Sequence, residues 1–169
     1  FQRIISDKNL VFVNSQETGS RFDKFNIEEV NIGIKALESL IHLENPDNLE
    51  AFLSNRVGII VHFRAQRTEF KRAIMRKYPD INVDSILIDT VESFQGSERD
   101  FIIVSFSVNH KDQISQIKQS ADCKKDKKLN VLLSRARLKL ILIGASRVLV
   151  RSKEHFELMK RIDSLSAFF

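Results

Sequence analysis

Five short apolar runs divide this chain, and polar residues flank each of them. Runs of about four to eight residues that are rich in Val and Ile are typical of strands buried on both faces. Such runs indicate a parallel sheet, in which helices cover both faces. We predict strands over these segments: 10–14, 57–63, 85–91, 101–108 and 138–144.

Between the strands, apolar residues recur at helical spacing. Asn26 is the expected N-cap of the first helix, and Glu28 and Glu29 stand in its first turn, where negative charge is favourable. The second helix is basic and amphipathic. We predict helices over 26–42, 64–78 and 152–163, and a further helical stretch from Lys127 into the last strand.

Alternating strands and helices predict an α/β fold, formed as a single domain over residues 1–169. Two segments interrupt the alternation. Only residues 92–100 separate the third and fourth predicted strands, and this is too short for a helical crossover. Residues 109–128 are polar, rich in lysine and without a clear apolar stripe, so we expect a surface loop there.

Composition narrows the function classes. The net charge of +5 and the pI of about 9.4 suit a nucleic-acid partner without requiring one. The single cysteine, Cys123, excludes an internal disulfide, and the four histidines lack ligand spacing, so no metal site is expected. No run approaches the roughly 18 apolar residues of a membrane span, so we expect no membrane partner. The chain begins at Phe1, and we expect it to be part of a longer protein.

Charged residues stand at several strand ends. Ligands of open α/β sheets bind at the carboxyl ends of the strands, and we expect three stretches to converge there. Arg64 and Arg67 follow the second strand, a turn at Gly96 follows the third, and Arg135 and Arg137 precede the fifth. Guanidinium groups around a glycine turn suit a polyphosphate. The alternative is that the arginines pair with nearby carboxylates: Glu69, Glu92, Glu98 and Asp100.

Two aromatic residues, Phe63 and Phe94, lie in the loops expected at this rim. Either could stack on a base or simply pack in the core, and the sequence leaves both roles open. No G-x-x-x-x-G-K-[ST] phosphate loop occurs, nor an acidic strand end that would hold magnesium. The chain therefore has arginines for a phosphate but not the residues to bind a nucleotide and its metal by itself.

Three segments, VGIIVHFRAQ, IDTVESFQGSERDFIIVS and LNVLLSRARLKLILIG, resemble motifs IV, V and VI of superfamily 1 helicases in that order. The resemblance is to the branch of the nonsense-mediated-decay RNA helicase and the Okazaki-fragment nuclease-helicase. The opening segment LVFVNSQETGS and the helix after it are also similar to the start of that domain. The resemblance implies a RecA-like fold of the P-loop-NTPase type without its own P-loop, the second of two motor domains.

The resemblance also implies a nucleotide site shared between domains. ATP and Mg²⁺ would be held mainly by the first RecA-like domain, N-terminal to this one in the same parent chain. Arg135 matches the motif VI arginine finger, and Arg64 matches the motif IV arginine, with Arg67 as the competing assignment; Arg135 and Arg64 are the implied catalytic residues. Glu98 matches the motif V acidic residue near the ribose or γ-phosphate. The other implied nucleotide-site residues are Gln95 and Gly96 at the turn and Arg137 as a brace.

Thr90 and Ser93 match the part of motif V that touches the nucleic-acid backbone. His62 and Phe63 stand at the motif IV positions where Pro and Tyr are usual, and we expect them to contact nucleic acid as well. The implied protein is an ATP-dependent helicase that moves 5′→3′ on single-stranded nucleic acid, with DNA favoured over RNA, in DNA repair or RNA processing. Its composition favours a bacterial cytoplasm over a nucleus. This segment alone should not hydrolyse ATP. The alternatives are a non-catalytic nucleic-acid- or protein-binding module and an unrelated flavodoxin-like or receiver domain.

Overall fold

The computed structural model describes residues 8–94, 96–117 and 127–165. Within these residues the strands are β1 (Leu10–Asn14), β2 (Val57–Val61), β3 (Leu87–Thr90), β4 (Arg99–Ser105) and β5 (Ala136–Gly144). The helices are α1 (Ile27–Glu44), α2 (Leu49–Arg56), α3 (Arg64–Lys77), α4 (Ile114–Ile117), α5 (Lys127–Leu133), α6 (Ser146–Leu149) and α7 (Lys153–Leu165). Short 3₁₀ turns occupy Val83–Ser85 and Lys111–Gln113.

The five strands form one parallel sheet in the order β1-β5-β4-β2-β3. Its register aligns Ile59 of β2 with Ile103 of β4, and Ile103 with Ile141 of β5. The α/β RecA-like fold predicted from the sequence is therefore confirmed. Because every strand runs in the same direction, all of the carboxyl ends lie at one edge of the sheet, the carboxyl edge, and all of the amino ends lie at the opposite amino edge.

Side-chain alternation along the strands divides the interior into two cores. Ile59, Ile103 and Ile141 face a core that is completed by helices α1, α2 and α3. The next residues along the strands point to the other face, where α4 to α7 and the connections that carry Phe63, Phe94 and Phe106 contribute further apolar side chains. Both faces of the sheet are thus covered, which explains why the strands are apolar throughout.

Helix α2, Leu49–Arg56, was not anticipated from the sequence. It begins at Asn48, whose side chain accepts a hydrogen bond from Ala51 N at 2.9 Å. Only Phe52 and Leu53 are buried in this eight-residue helix. Two adjacent apolar residues carry no helical periodicity, so the segment has little signal beyond its N-cap.

The prediction of a surface loop over 109–128 is wrong in its first part. Residues Lys111–Gln113 form a 3₁₀ turn and Ile114–Ile117 a helical turn, and Ile114 and Ile117 pack into the second core. Segment 118–126, which includes Cys123, lies outside the described residues. Two isoleucines three residues apart therefore anchored a segment whose overall polarity suggested a loop.

None of the described residues between β3 and β4, 91–94 and 96–98, is helical, as the short length of the connection predicted. The connection crosses from the carboxyl edge back to the amino edge, because β4 runs parallel to β3. Phe94 is fully buried on this path and covers Gly58 of β2. A Cβ atom at position 58 would lie only 2.6 Å from Phe94 Cζ, so the close passage of this segment over the sheet requires glycine there.

Candidate functional site

The residues predicted to form one site lie at opposite edges of the sheet. Arg64 follows the carboxyl end of β2 and Thr90 ends β3, whereas Glu98 and Arg135 immediately precede β4 and β5. The seven residues of β4 separate the two edges by roughly 20 Å, at about 3.3 Å per residue. The prediction that all three stretches converge at the carboxyl ends is therefore wrong. A residue directly before a parallel strand must lie at the amino edge.

The amino-edge cluster consists of Glu98, Arg99, Arg135 and Arg137. Arg99 N donates to Arg135 O at 3.1 Å, so the backbone joins the starts of β4 and β5. Arg137 Nε lies 3.3 Å from Glu98 Oε2, and Arg99 Nη1 donates to Glu98 O at 2.8 Å. The structure thus brings Glu98, Arg135 and Arg137 together, as their sequence motifs implied.

Neutral oxygen atoms hold the Arg135 side chain. Its Nε donates to Val131 O at 3.2 Å, its Nη2 to Ser134 Oγ at 3.1 Å, and its Nη1 to Ser97 O at 3.5 Å. Among the residues that the structure describes, no carboxylate forms an ion pair with Arg135. Its positive charge is therefore oriented but not neutralised, which suits an anionic ligand.

The ion-pair alternative applies to two of the four candidate arginines. Arg67 Nη1 binds Asp89 Oδ1 at 2.9 Å, and Arg137 pairs with Glu98. Asp89 was not among the expected partners. Two of the expected carboxylates pair with arginines outside the candidate site: Asp100 with Arg56 and Glu69 with Arg72. Arg64 is exposed and has no ion-pair partner within the described ranges.

The turn before Glu98 has the backbone that its glycine predicted. Gly96 has φ +81°, in the left-handed region that favours glycine, and the space beside its Cα is open. Gln95 lies outside the described residues. The amino edge therefore fits a phosphate through Arg135. Over 8–94, 96–117 and 127–165 no cluster of acidic, histidine or cysteine side chains could hold a metal ion, so these residues do not fit Mg²⁺ by themselves.

A second set of predicted residues lies at the carboxyl edge. Thr90 pairs with Val61 in the sheet, so it stands beside the segment that continues through His62 and Phe63 to Arg64. Thr90 Oγ1 lies 3.4 Å from Ser93 Oγ, and both residues are accessible to solvent. Two hydroxyl groups and an exposed guanidinium at one edge suit contact with a phosphate backbone.

Burial limits what the candidate aromatic residues can contact. Phe94 is fully buried, so its role is core packing rather than stacking on a base. Phe63 is 8% exposed, with Lys24 Nζ 5.9 Å from its ring centroid. The His62 ring stacks on Phe106 with centroids 5.2 Å apart and planes at 20°. Little ring surface of Phe63 is left for a ligand.

A buried polar network lies behind the carboxyl edge, and it was not predicted from the sequence. Asn26 N donates to Gln66 Oε1 at 2.8 Å, and Gln66 Nε2 donates to Ser105 Oγ at 2.9 Å. Ser105 Oγ in turn donates to Glu29 Oε2 at 2.6 Å, and Asn26 Nδ2 donates to Asn109 Oδ1 at 3.0 Å. The available signal was Ser105 itself, a hydroxyl inside an otherwise apolar strand that needs a buried partner.

Glu29 is the titratable centre of this network and is fully buried. Burial raises its pKa to about 7, although hydrogen bonds from Ser105 Oγ and Ser107 N oppose the shift. Ser107 N donates at 2.9 Å and Ser15 Oγ at 3.4 Å. The carboxyl group thus joins α1 to the carboxyl ends of β1 and β4.

In the part of the chain that the structure describes, no helix combines the length and the apolar character that crossing a bilayer demands.

Known proteins are similar to this chain in sequence over most of its length. A family model described as an AAA domain matches residues 2–147. The helicase sen1 of Schizosaccharomyces pombe is 32% identical over 130 residues, 76% of this chain. The DNA polymerase alpha-associated DNA helicase A of Saccharomyces cerevisiae is 31% identical over 147 residues, 84% of this chain. An uncharacterised ATP-dependent helicase of Methanocaldococcus jannaschii is 30% identical over 162 residues, 93% of this chain.

This chain spans only a small part of each relative. It covers 7% of the S. pombe helicase, 20% of the S. cerevisiae helicase and 21% of the M. jannaschii helicase. The similarity therefore concerns one domain of much longer proteins.

Proposed function

This chain belongs to the AAA-domain family of superfamily 1 helicases, and we propose that it is the second motor domain of an ATP-dependent helicase. In this proposal the first RecA-like domain of the same parent protein carries the phosphate loop and the magnesium site. The second domain supplies side chains from across the cleft. This division of labour accounts for a chain that has an oriented arginine for a phosphate but no phosphate loop in its sequence and, among its described residues, no cluster of metal ligands.

The observation that carries the proposal is the environment of Arg135. Carbonyl and hydroxyl oxygens orient its guanidinium group, and no described carboxylate neutralises it. A preorganised positive group of this kind stabilises negative charge that develops on a transferred phosphoryl group. Arg135 is the proposed arginine finger, which in related phosphoryl-transfer systems accelerates hydrolysis by about 10³- to 10⁵-fold.

The rest of the amino-edge cluster would complete the nucleotide site. Glu98 would accept from the ribose or lie near the γ-phosphate, in a turn shaped by Gly96 and Gln95. Arg137 would hold the Glu98 carboxylate in place, because the two side chains already form an ion pair at 3.3 Å. Nucleotide bound between the domains would supply the phosphoryl group, and Arg135 would supply the positive charge.

The carboxyl edge would hold single-stranded nucleic acid. Arg64 would neutralise a backbone phosphate, and the hydroxyls of Thr90 and Ser93 would donate to neighbouring phosphates. Because Arg64 and Arg135 lie at opposite edges, we propose this role for Arg64 instead of a catalytic one. Closure of the two domains on ATP and their opening after hydrolysis would shift this grip in the 5′→3′ direction.

We propose that the bound nucleic acid is DNA in preference to RNA. The S. cerevisiae relative is named a DNA helicase, whereas the S. pombe relative is named only a helicase. Contacts to the phosphate backbone do not by themselves distinguish the two, since both present the same phosphates.

ATP hydrolysis by the full-length protein tests the proposal. The rate should rise when single-stranded DNA or RNA is added, and Arg135→Ala should lower it by about 10³-fold or more. The matched control is Arg76→Ala, which removes an exposed arginine of α3 and should leave the rate unchanged. If Arg135→Ala hydrolysed ATP at the wild-type rate, the arginine-finger assignment would be overturned. Nucleic-acid binding without any hydrolysis by the parent protein would favour the non-catalytic module instead.

A further inference from the structure

The loop between β1 and α1 ends beside the proposed nucleic-acid surface. Asn26, the N-cap of α1, binds Gln66 in the first turn of α3, so the end of this loop lies next to Arg64. The Lys24 Nζ atom provides a second contact, 5.9 Å from the ring centroid of Phe63. The loop therefore belongs to the same edge as Arg64, although it is distant from it in sequence.

The tip of this loop is a tight turn held by its own side chains. Asp23 N donates to Ser20 O at 3.1 Å, Ser20 N donates to Asp23 Oδ2 at 2.7 Å, and Phe22 N donates to Ser20 Oγ at 3.2 Å. Gly19 precedes the turn at φ +118°, and a Cβ there would lie 2.7 Å from Asp23 Oδ2. These bonds fix Arg21 and Phe22 at the tip.

Two buried amide side chains attach the turn to the segment that follows β4. Gln113 Nε2 donates to Asp23 O at 2.7 Å, and Asn109 Nδ2 donates to Phe25 O at 2.9 Å. Asn109 and Gln113 are 5% and 1% exposed. Both hydrogen bonds are part-buried, and breaking them would leave the two buried amide groups without these partners, so the fold holds the tip in position.

Phe22 is 75% exposed, more than any other large hydrophobic side chain in the described residues. Core packing therefore does not account for an aromatic residue at this position. The Arg21 Cζ atom lies 4.8 Å from the ring centroid, so the guanidinium group covers one face of the ring. The high exposure leaves ring surface open to a second planar group.

We infer that Phe22 stacks on an unpaired base of the bound nucleic acid, while Arg21 and Lys24 contact the adjacent phosphates. This inference rests on the proposed function, because it places the strand at the carboxyl edge. Aromatic stacking suits a motor that moves along any sequence, since every base has a π-face. Because the turn is already ordered, the loop would lose little conformational entropy when nucleic acid binds, and this favours affinity.

Equilibrium binding by the full-length protein tests this contact. The probes are a fluorescein-labelled oligo(dT) and an abasic oligonucleotide of the same length, measured by fluorescence anisotropy. Phe22→Ala should weaken oligo(dT) binding roughly tenfold or more, as expected for loss of one stacked base. The abasic strand offers no base to stack, so wild type and Phe22→Ala should bind it equally. Phe22→Trp preserves the stacking surface and should keep wild-type affinity for oligo(dT).

Leu138→Ala is the matched control, because it removes a side chain that is 51% exposed at the start of β5, on the opposite edge. It should leave binding unchanged. Equal oligo(dT) affinity of wild type and Phe22→Ala would overturn the inference, even if nucleic acid still stimulates ATP hydrolysis. Weaker hydrolysis by Phe22→Ala with unchanged affinity would also overturn it, in favour of a contact with another domain. If the wild type neither binds nucleic acid nor hydrolyses ATP, the proposed function itself fails.

Discussion

Gln66 binds the backbone of Asn26 through both ends of its side-chain amide. Asn26 N donates to Gln66 Oε1 at 2.8 Å, and Gln66 Nε2 donates to Asn26 O at 3.0 Å. Both residues are fully buried. This pair joins the N-cap of α1 to the first turn of α3, and it therefore holds the loop that carries Phe22 beside the segment that carries Arg64.

The first prediction concerns this pair. Gln66→Ala should lower the free energy of unfolding by about 2–3 kcal/mol, because it leaves the buried Asn26 amide without its partner and opens a small cavity. Urea unfolding followed by circular dichroism measures the change. Gln16→Ala removes an exposed glutamine side chain and should stay within about 0.5 kcal/mol of wild type. A Gln66→Ala midpoint equal to wild type would contradict the structural role of the pair.

The second prediction is a pH dependence of stability that arises from Glu29. The pKa of Glu29 is about 7 in the folded protein, against its usual value of 4.5. The folded state therefore holds a proton that the unfolded state releases over this range, and stability falls as pH rises from about 4.5 to 7. The shift corresponds to about 3 kcal/mol, at 1.36 kcal/mol per pKa unit.

Glu29→Gln separates this effect from other titrations. Glutamine cannot ionise, but its carbonyl oxygen still accepts from Ser105 Oγ and Ser107 N. The unfolding free energy of this variant should change less between about pH 5 and 8 than that of wild type. Asn31→Ala, an exposed change on the same helix, should keep the wild-type slope. Identical slopes for wild type and Glu29→Gln would show that Glu29 does not titrate in this window.

The third prediction concerns the passage of Phe94 over the sheet. Gly58→Ala adds a Cβ that would lie 2.6 Å from Phe94 Cζ and 2.9 Å from Ile102 Cδ1. Overpacking of this kind typically lowers the free energy of unfolding by about 1–3 kcal/mol, and we expect a loss of this size for Gly58→Ala. Phe94→Leu shortens the facing side chain, so the double variant should lose less stability than the two single changes added together. Simple additivity in this double-mutant cycle would contradict the contact.

The fourth prediction distinguishes the two arginines that follow β2. Arg64→Ala removes an exposed charge with no described ion-pair partner, so it should lower single-stranded DNA affinity and reduce the salt slope by about one. Arg67→Ala removes the 2.9 Å pair with Asp89 and should cost at most about 1 kcal/mol of stability, because both side chains are partly exposed. Binding titrations over a range of salt concentrations give both slopes. If Arg67→Ala reduced the salt slope and Arg64→Ala left it unchanged, Arg67 would be the residue that contacts the phosphate.

Local sequence patterns predicted most of the strands and helices of the fold. Asn26 caps α1 as expected, since its side chain accepts from Glu29 N at 3.1 Å. The five apolar runs correspond to the five strands, with ends shifted by a few residues. These features depend on neighbours along the chain, so the sequence contains them directly. Helix α2 was missed because its two buried residues are adjacent and give no periodicity.

The sequence by itself determined the parallel α/β sheet, the order of the helicase motifs and the absence of a phosphate loop. Only the tertiary structure decided that Glu98 and Arg135 lie at the amino edge and Arg64 at the carboxyl edge. It also decided that Asp89 neutralises Arg67, whereas no carboxylate of the described residues neutralises Arg135. The physical reason is that ion pairing and burial depend on distances of a few ångströms between residues far apart in the chain. Strand order and the path of each crossover set those distances.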